Sequence, residues 1–573
     1  MSLRKIYYIL ALQFVVLFSN TMNLFAAPDE RTFLHTDRTV YIAGQTVFYK
    51  LYVLDATTRN LSNLSKVGYI LFRDANSNPV LKIRVDINRG VSSGCIELPD
   101  TLCSGVYQAV AFTSVMRNKG EQHFGFKDIV VANRYDKELN FKLLNSEQSP
   151  GRKGNFRNPV PTIKTDRMQY GPREKVSISL GNLNSKANVS VSVYEEPRIV
   201  TANTSIVETL AGTPVENVGV TSKGYYQSEN RGKIVRGRVL DATLKKGIPA
   251  AIVLLSSPDT LANLQYARTD SDGRFQLLLS DYYAGKDLFF TIKDVPVNQK
   301  WIIEMEDGFS LAAKWKPALM PNNSDAKEFI EKSGNIVYIN NSYQVNNDRY
   351  KDSVLNRNVI CPQVYNCPVN KVYPGDFVPL KDFPEITVEL LPKVIVSHQN
   401  NQYSVRVINA AFSTPFQQAP AVFMDGVFVD DVNKIIGLGS DRIKKIEVLS
   451  CERIIGDVIF QGIISITTKS NEILKSIPAS HSCRIKNDYV SCGKNFVSIN
   501  PIALNKNIPY LTQLLYWNPM LEVSATGNAD VELYTSDNTA SFRIQVEGVL
   551  EDGTPISSGS SFQVINPLNS NDK

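Results

Sequence analysis

Apolar residues along this chain alternate with polar ones far more often than they recur at helical spacing. Thr39–Ile42 and Thr46–Val53 are β-branched and aromatic runs separated by the turn residues Ala43, Gly44 and Gln45. Comparable runs bounded by Gly, Pro, Asn or Asp recur about every 8 to 12 residues as far as residue 300, the rhythm of antiparallel sandwiches. Val189, Val191 and Val193 alternate with Ser190 and Ser192, which predicts a half-buried strand. Helical patterning is scarce. Asn323 or Ser324 is placed to cap a helix over 325–332 that presents Ala326, Phe329 and Ile330 on one face. The fold class expected is mainly β, several sandwiches with one small α+β domain.

The first 27 residues have the form of an export signal. Arg4 and Lys5 precede an apolar stretch from Ile6 to Phe18, and Ala26 and Ala27 offer a small-residue cleavage site before Pro28. No Cys follows the apolar stretch to carry a lipid, and no later run approaches the roughly 18 apolar residues of a spanning helix. The expected location is therefore the periplasm or cell surface. At 573 residues the chain is too long for one core. Without Arg4 and Lys5 the net charge of +6 falls to +4 with no long basic run, so nucleic acid is not an expected partner. In an exported chain, cysteines near in sequence suggest bridges: Cys95 with Cys103, Cys361 with Cys367, and Cys483 with Cys492, leaving Cys451. Buried free thiols are the competing reading for each pair.

Three stretches carry resemblances to known families. His35-Thr36-Asp37-Arg38, then Tyr41, Gly44 and Phe48, followed by Gly105 and Tyr107, resemble the second macroglobulin-type domain of the alpha-2-macroglobulin family, in the form common in exported Bacteroidetes proteins. Thr165-Asp166-Arg167 with Tyr170 repeats the pattern. Residues 234–300 resemble the carboxypeptidase regulatory-like, transthyretin-like sandwich through Val235-Arg236-Gly237, Gly247-Ile248-Pro249 and Thr269-Asp270-Ser271-Asp272-Gly273. Asp270 and Asp272 alone do not make a calcium loop, and Gly273 suits a hairpin turn there.

The most specific stretch is 420–469. Val422-Phe423-Met424-Asp425-Gly426-Val427, Ile443 to Leu449 with Glu447, and Gly462 to Lys469 resemble the plug of TonB-dependent outer-membrane receptors. Asp425-Gly426 fits a tight hairpin, and Glu447 an ion pair with Lys444 or Lys445. A receptor barrel of that class needs about 22 strands of about 10 residues, and residues 471–573 cannot supply them. An uncovered plug sheet must be polar or be covered by another domain or a partner. Leu515-Tyr516-Trp517 and Phe542 to Gly548 are similar to a late macroglobulin domain, while Cys492-Gly493-Lys494-Asn495 lacks the Glu and Gln of a thioester.

The divisions expected are a signal (1–27), two macroglobulin-type sandwiches (28–135 and 136–228), a regulatory-like sandwich (229–305) and a linker with a short helix (306–374). A plug-like domain (375–470) and a last macroglobulin-type sandwich (471–573) follow. No Gly-x-Ser-x-Gly, His-Glu-x-x-His or phosphate-cradling loop is present. Asp382, Glu385 and Glu389 read as solvated acids on a strand carrying Ile386 and Val388. No catalytic residue, cofactor or metal is expected. The resulting expectation is a non-enzymatic binding or scaffolding protein associated with an outer-membrane barrel or envelope complex. A thioester-free macroglobulin-like protease inhibitor, with a bait segment at 145–161 (Arg152, Lys153, Arg157), or a surface glycan- or peptide-binding protein are the alternatives.

Overall fold

The computed structural model describes residues 29–136, 160–183, 187–197, 204–211, 226–280, 283, 286–293, 300–311, 314–315, 324–343, 350–352, 364–365, 370–399, 402–475, 482–485, 494–505, 507–524 and 526–566. The export signal and the candidate bait residues Arg152, Lys153 and Arg157 lie outside this set. Among the described residues no helix is long and apolar enough to cross a membrane. The chain forms two units, one from Met1–Asn230, Phe309–Leu355 and Val490–Lys573, the other from Arg231–Gly308 and Asn356–Tyr489.

The first unit holds two sandwiches. In the first, Glu30–Thr36, Thr46–Asp55 and Val91–Glu97 form a three-stranded antiparallel sheet. It packs on a five-stranded sheet ordered Val40–Ile42, Gly125–Ala132, Gly105–Thr113, Val67–Arg73, Pro79–Asp86. Leu34, Tyr41, Val47, Leu51, Ile70, Phe72 and Ile129 fill the space between them. The repeated Asp-Arg-x-x-Tyr pattern has a physical meaning. One Asp37 carboxylate oxygen accepts the Tyr41 hydroxyl and the Phe48 N–H, each at 2.8 Å, and the Arg38 guanidinium lies 4.7 Å over the Tyr41 ring. Asp166 accepts Tyr170 and the Ser177 N–H at the same distances, beneath Arg167 at 4.7 Å. Both sandwiches thus fasten a turn to the next strand with one carboxylate.

The second sandwich is discontinuous. Its five-stranded sheet runs Gln169–Tyr170, Pro555–Val564, Ala540–Leu550, Ala187–Glu195, Leu514–Glu522, and its three-stranded sheet Ala529–Tyr534, Lys175–Gly181, Thr162–Thr165. Ala187–Glu195 pairs antiparallel with Ala540–Leu550 on one side and Leu514–Glu522 on the other. The described strands of 162–195 and of 514–564 are therefore halves of one sandwich rather than two domains. Neither half could close a core alone, because Val189, Val191 and Val193 pack against Ile544, Val546 and Phe562. The serines between them are buried as well, which corrects the half-buried reading.

Ser190 meets the first sandwich. His35 Nδ1 lies 2.7 Å and Tyr52 Oη 2.8 Å from Ser190 Oγ, and the Tyr52 hydroxyl donates to the Glu547 carbonyl at 2.9 Å. Lys50 donates to Asn188 and to the Val189 carbonyl. Burial pushes Lys50 down to about 7, and burial with the charges of Lys127 and Lys50 keeps His35 neutral. Burial also raises the Glu547 carboxyl, which accepts from Ile206 N–H, Gln545 and Ser557.

The segment 306–374 is more than a linker. Ser324–Ser342 is a 19-residue helix whose Phe329 and Ile330 pack against Val40, Ile42, Val130 and Ala132. Tyr338 and Tyr343 point outward.

The second unit combines a small sandwich with the 420–469 region. The sandwich sheets are Arg274–Leu279, Lys233–Asp241, Trp301–Met305, and Gln265–Arg268, Ile252–Ser256, Leu288–Lys293, Ser482–Ile485. The last strand comes from the 471–573 stretch and completes the sheet edge beside Leu288–Lys293. Asp270 and Gly273 form a hairpin turn: Asp270 Oδ1 accepts the Asp272 and Arg274 N–H groups, and Gly273 has φ +75°.

The cysteine pairing departs from sequence proximity. Cys103 is an exposed free thiol and Cys483 is also free, so neither the Cys95–Cys103 nor the Cys483–Cys492 bridge forms. Cys95 is disulfide-bonded. It lies mid-strand opposite Phe48 and is buried beside Tyr194 and Trp517. Cys361, Cys367 and Cys492 lie outside the described residues.

Candidate functional site

The 420–469 motif builds a five-stranded sheet ordered Asn370–Val372, Ile443–Ile455, Val458–Thr468, Ala421–Met424, Val427–Val429. Ala421–Met424 runs parallel to Val458–Thr468, and the other pairs are antiparallel. Asp425 (φ +49°) and Gly426 (φ +82°) make the two-residue turn expected of a hairpin with both central residues left-handed. The Asp425 side chain, 1% exposed, is consumed by structure. It accepts the Thr468 N–H and hydroxyl at 2.7 Å each and the Ile473 N–H at 3.2 Å, locking the hairpin to the end of the neighbouring strand.

The other motif residues also have local roles. Glu447 is 4% exposed and pairs with Lys445 at 2.9 Å and Lys371 at 3.3 Å, with the Tyr365 hydroxyl donating at 3.2 Å. Lys445, not Lys444, is its partner on the strand. Burial alone would raise the Glu447 carboxyl, and the bond and charge of Lys445 with Lys371 and Tyr365 outweigh it, leaving it below its ordinary value. Gly462 has φ +92° where a Cβ would come within 2.8 Å of Val407, so only glycine lets the Gln402–Val407 strand approach. Lys469 donates from Nζ to the Ser440 carbonyl at 3.4 Å.

Both faces of this sheet are covered within the second unit. Val422, Met424, Ile446, Val448, Ile464 and Ile466 point to one side, where Phe383, Ile386, Val405, Val407 and Ile435 close the core. Alternate positions Ala421, Phe423, Phe428, Leu449, Phe460 and Ile463 point to the other, against Ile252, Leu254, Ala262 and Leu264 of the small sandwich. Polar contacts fix the seating. Asp259 N–H donates to the Asp425 carbonyl at 2.9 Å, Asn263 N–H to the Gly426 carbonyl at 3.3 Å, and Phe428 N–H to the Ser256 hydroxyl at 3.0 Å. At the far end Tyr266 and Arg268 both bond Asp457. This docking surface was not visible to sequence reasoning. The signal that carries it is the near-continuous apolar run of Ala421–Met424 and of Gly462–Ile466, which marks strands buried on both faces.

Asp382, Glu385 and Glu389 are corrected by the structure: Phe383–Leu390 is a helix, not a strand. Asp382 caps it by accepting the Glu385 N–H at 3.0 Å, and Glu385 reaches back to the Lys381 N–H at 2.7 Å, with Pro384 in the first turn. Ile386 is buried and Val388 exposed, as a helical face requires. Among the described residues no group of three or more His, Cys, Asp or Glu is arranged to hold a metal ion.

No protein-family model matches the chain, and no curated protein matches it. Among solved structures, the trypsin-activated alpha-2-macroglobulin of Escherichia coli is 10% identical over 95% of this chain and 42% of its own, at a TM-score of 0.23. The methylamine-reacted alpha-2-macroglobulin of Salmonella is 9% identical over 95% and 40%, at 0.23. Dimeric latent PorU from Porphyromonas gingivalis is 9% identical over 48% and 34%, at 0.16. The chain spans less than half the length of each of these, and at such TM-scores the likeness is not one of overall fold.

Proposed function

We propose that this chain is a non-enzymatic binding or scaffolding protein of the cell envelope, in which the 420–469 sheet is a built-in structural module. The observation that carries this reading is the seating of Phe423, Phe428 and Phe460 on Ile252, Leu254 and Leu264 of the same chain. A sheet whose body is sealed on both faces by its own chain is architecture, and its exposed apolar residues are confined to Ile454 and Ile459 near the hairpin end, too few to form a face for a barrel to enclose. The motif's buried acids support the same reading, since Asp425 and Glu447 spend their oxygens on Thr468, Ile473, Lys445 and Lys371. Export is supported by the charged, apolar and small-residue succession of residues 1–27. Association with an outer-membrane complex, on this reading, uses surfaces other than the faces of that sheet.

Fractionation of cells with crosslinking of the intact envelope tests the proposal. Recovery with the envelope fraction, crosslinked to a membrane complex, is expected. Recovery as a free monomer with no envelope partner contradicts it.

A further inference from the structure

In the first unit a groove of about 330 Å³ opens between the edge strands Val91–Glu97 and Leu514–Glu522. That volume lies within the range of small-molecule sites, roughly 300–1,000 Å³. Its walls are aromatic and amide. Phe496 and Tyr516, both half-buried, supply rings, with Trp517 buried behind them, and Asn495, Asn518 and Ser93 supply donors and acceptors. Among the described residues that line it, none is an acid, a Lys, an Arg or a His. The Tyr516 hydroxyl titrates above its ordinary value because of burial, so it too is neutral.

The walls are held in place. Phe496 meets Phe48 edge-on at 5.6 Å, and Trp517 meets His35 edge-on at 5.2 Å. Asn518 donates to the Tyr516 hydroxyl at 3.2 Å while its carbonyl accepts the Met520 N–H at 2.9 Å. The amide is thereby fixed beside the half-buried Tyr516 ring. Gly94 keeps the opposite wall low, and Ser93 stands exposed on its rim.

Two kinds of neutral ligand suit such a surface, an extended peptide or a sugar. A peptide would add to the edge of Leu514–Glu522, which no strand among the described residues pairs on that side, through backbone hydrogen bonds. That edge is blunted: Pro519 has no N–H, and the ladder shifts register between Val189 and Val191, opposite the 518–521 segment. Rings flanked by oriented amides and hydroxyls remain usable, since the C–H face of a pyranose lies on an aromatic ring while its hydroxyls bond the amides. We propose that this groove binds a neutral oligosaccharide, stacked on Tyr516 and Phe496 and hydrogen-bonded by Asn495, Asn518 and Ser93. The proposal does not depend on envelope association, and either can fail without the other.

The test uses the full mature chain, titrated calorimetrically with maltohexaose, cellohexaose and chitohexaose, and with a neutral proline-containing hexapeptide as the rival. Tryptophan fluorescence, to which Trp517 in the groove contributes, is followed in parallel. At least one sugar is expected to bind saturably and to perturb the fluorescence. Tyr516→Ala and Asn518→Ala should each weaken it tenfold or more. Ser93→Trp, at an exposed position that folding tolerates, should abolish it with the thermal midpoint unchanged. Absence of binding to all three sugars, undiminished binding by S93W, or binding of the peptide alone overturns the proposal.

Discussion

Asp37 and Asp166 hold the same pair of donors, yet Asp37 is wholly buried and the Asp166 side chain is 42% exposed. The repeated motif was legible in the sequence, but its unequal burial was not, because that depends on what packs outside each turn. Tyr41→Phe strips a buried carboxylate of a donor and should cost roughly 2 kcal/mol, whereas Tyr170→Phe should cost about 1 kcal/mol or less, compared by urea unfolding. Burial lifts Asp37 from 3.8 to about 6, despite Arg38 and the Tyr41 bond. The folded chain therefore keeps a proton that the unfolded chain loses between pH 3.8 and 6, and this group adds stability as pH falls through that window. Lys50 has the opposite sign: folded near 7 against 10.5, it makes stability rise with pH between those values. Asp37→Asn should remove the acid-side slope and Lys50→Met the alkaline one, read from unfolding free energy against pH. Asp425→Ala leaves two N–H groups and a hydroxyl without their acceptor and should cost roughly 3 kcal/mol.

Elements were read well where periodicity was unambiguous and badly where local capping decided. The Asp425-Gly426 hairpin and the helix carrying Phe329 and Ile330 follow from turn chemistry and from helical spacing. Phe383–Leu390 was misread because Ile386, Val388 and Leu390 alternate, while the Asp382 to Glu385 cap and Pro384 set the backbone. Ala187–Glu195 shows the converse limit. Its serines look solvent-facing in sequence and both are buried, Ser190 against His35 and Tyr52, about 140 to 155 residues away, which supply its hydrogen bonds. At Gly426 two constraints coincide: φ is +82°, and a Cβ would sit 2.7 Å from the Asp259 nitrogen. Gly426→Ala should therefore cost well beyond the ~1 kcal/mol of ordinary left-handed strain and loosen the seating on the small sandwich, seen as faster amide exchange at Asp259 and Asn263.

At the scale of the whole molecule, sequence order concealed the domain plan. Strand signals at 162–195 and 514–564 were each legible, but pairing between them is non-local and leaves no mark in composition. A chain ended at residue 500 would leave Ala187–Glu195 without either sheet neighbour, and the second sandwich should then be lost to limited proteolysis while Thr46–Asp55 and its partners stay protected. The strands and the Asp425-Gly426 hairpin of 420–469 were legible; what covers the sheet was not, since it required Ile252 and Leu254 to point outward from their own sandwich. That covering is the central claim, and a photo-crosslinking amino acid in place of Phe428, activated in intact cells, tests it most directly. Crosslinks from position 428 to residues 252–264 of the same chain are the result expected, and a crosslink from that position to another envelope protein would contradict it.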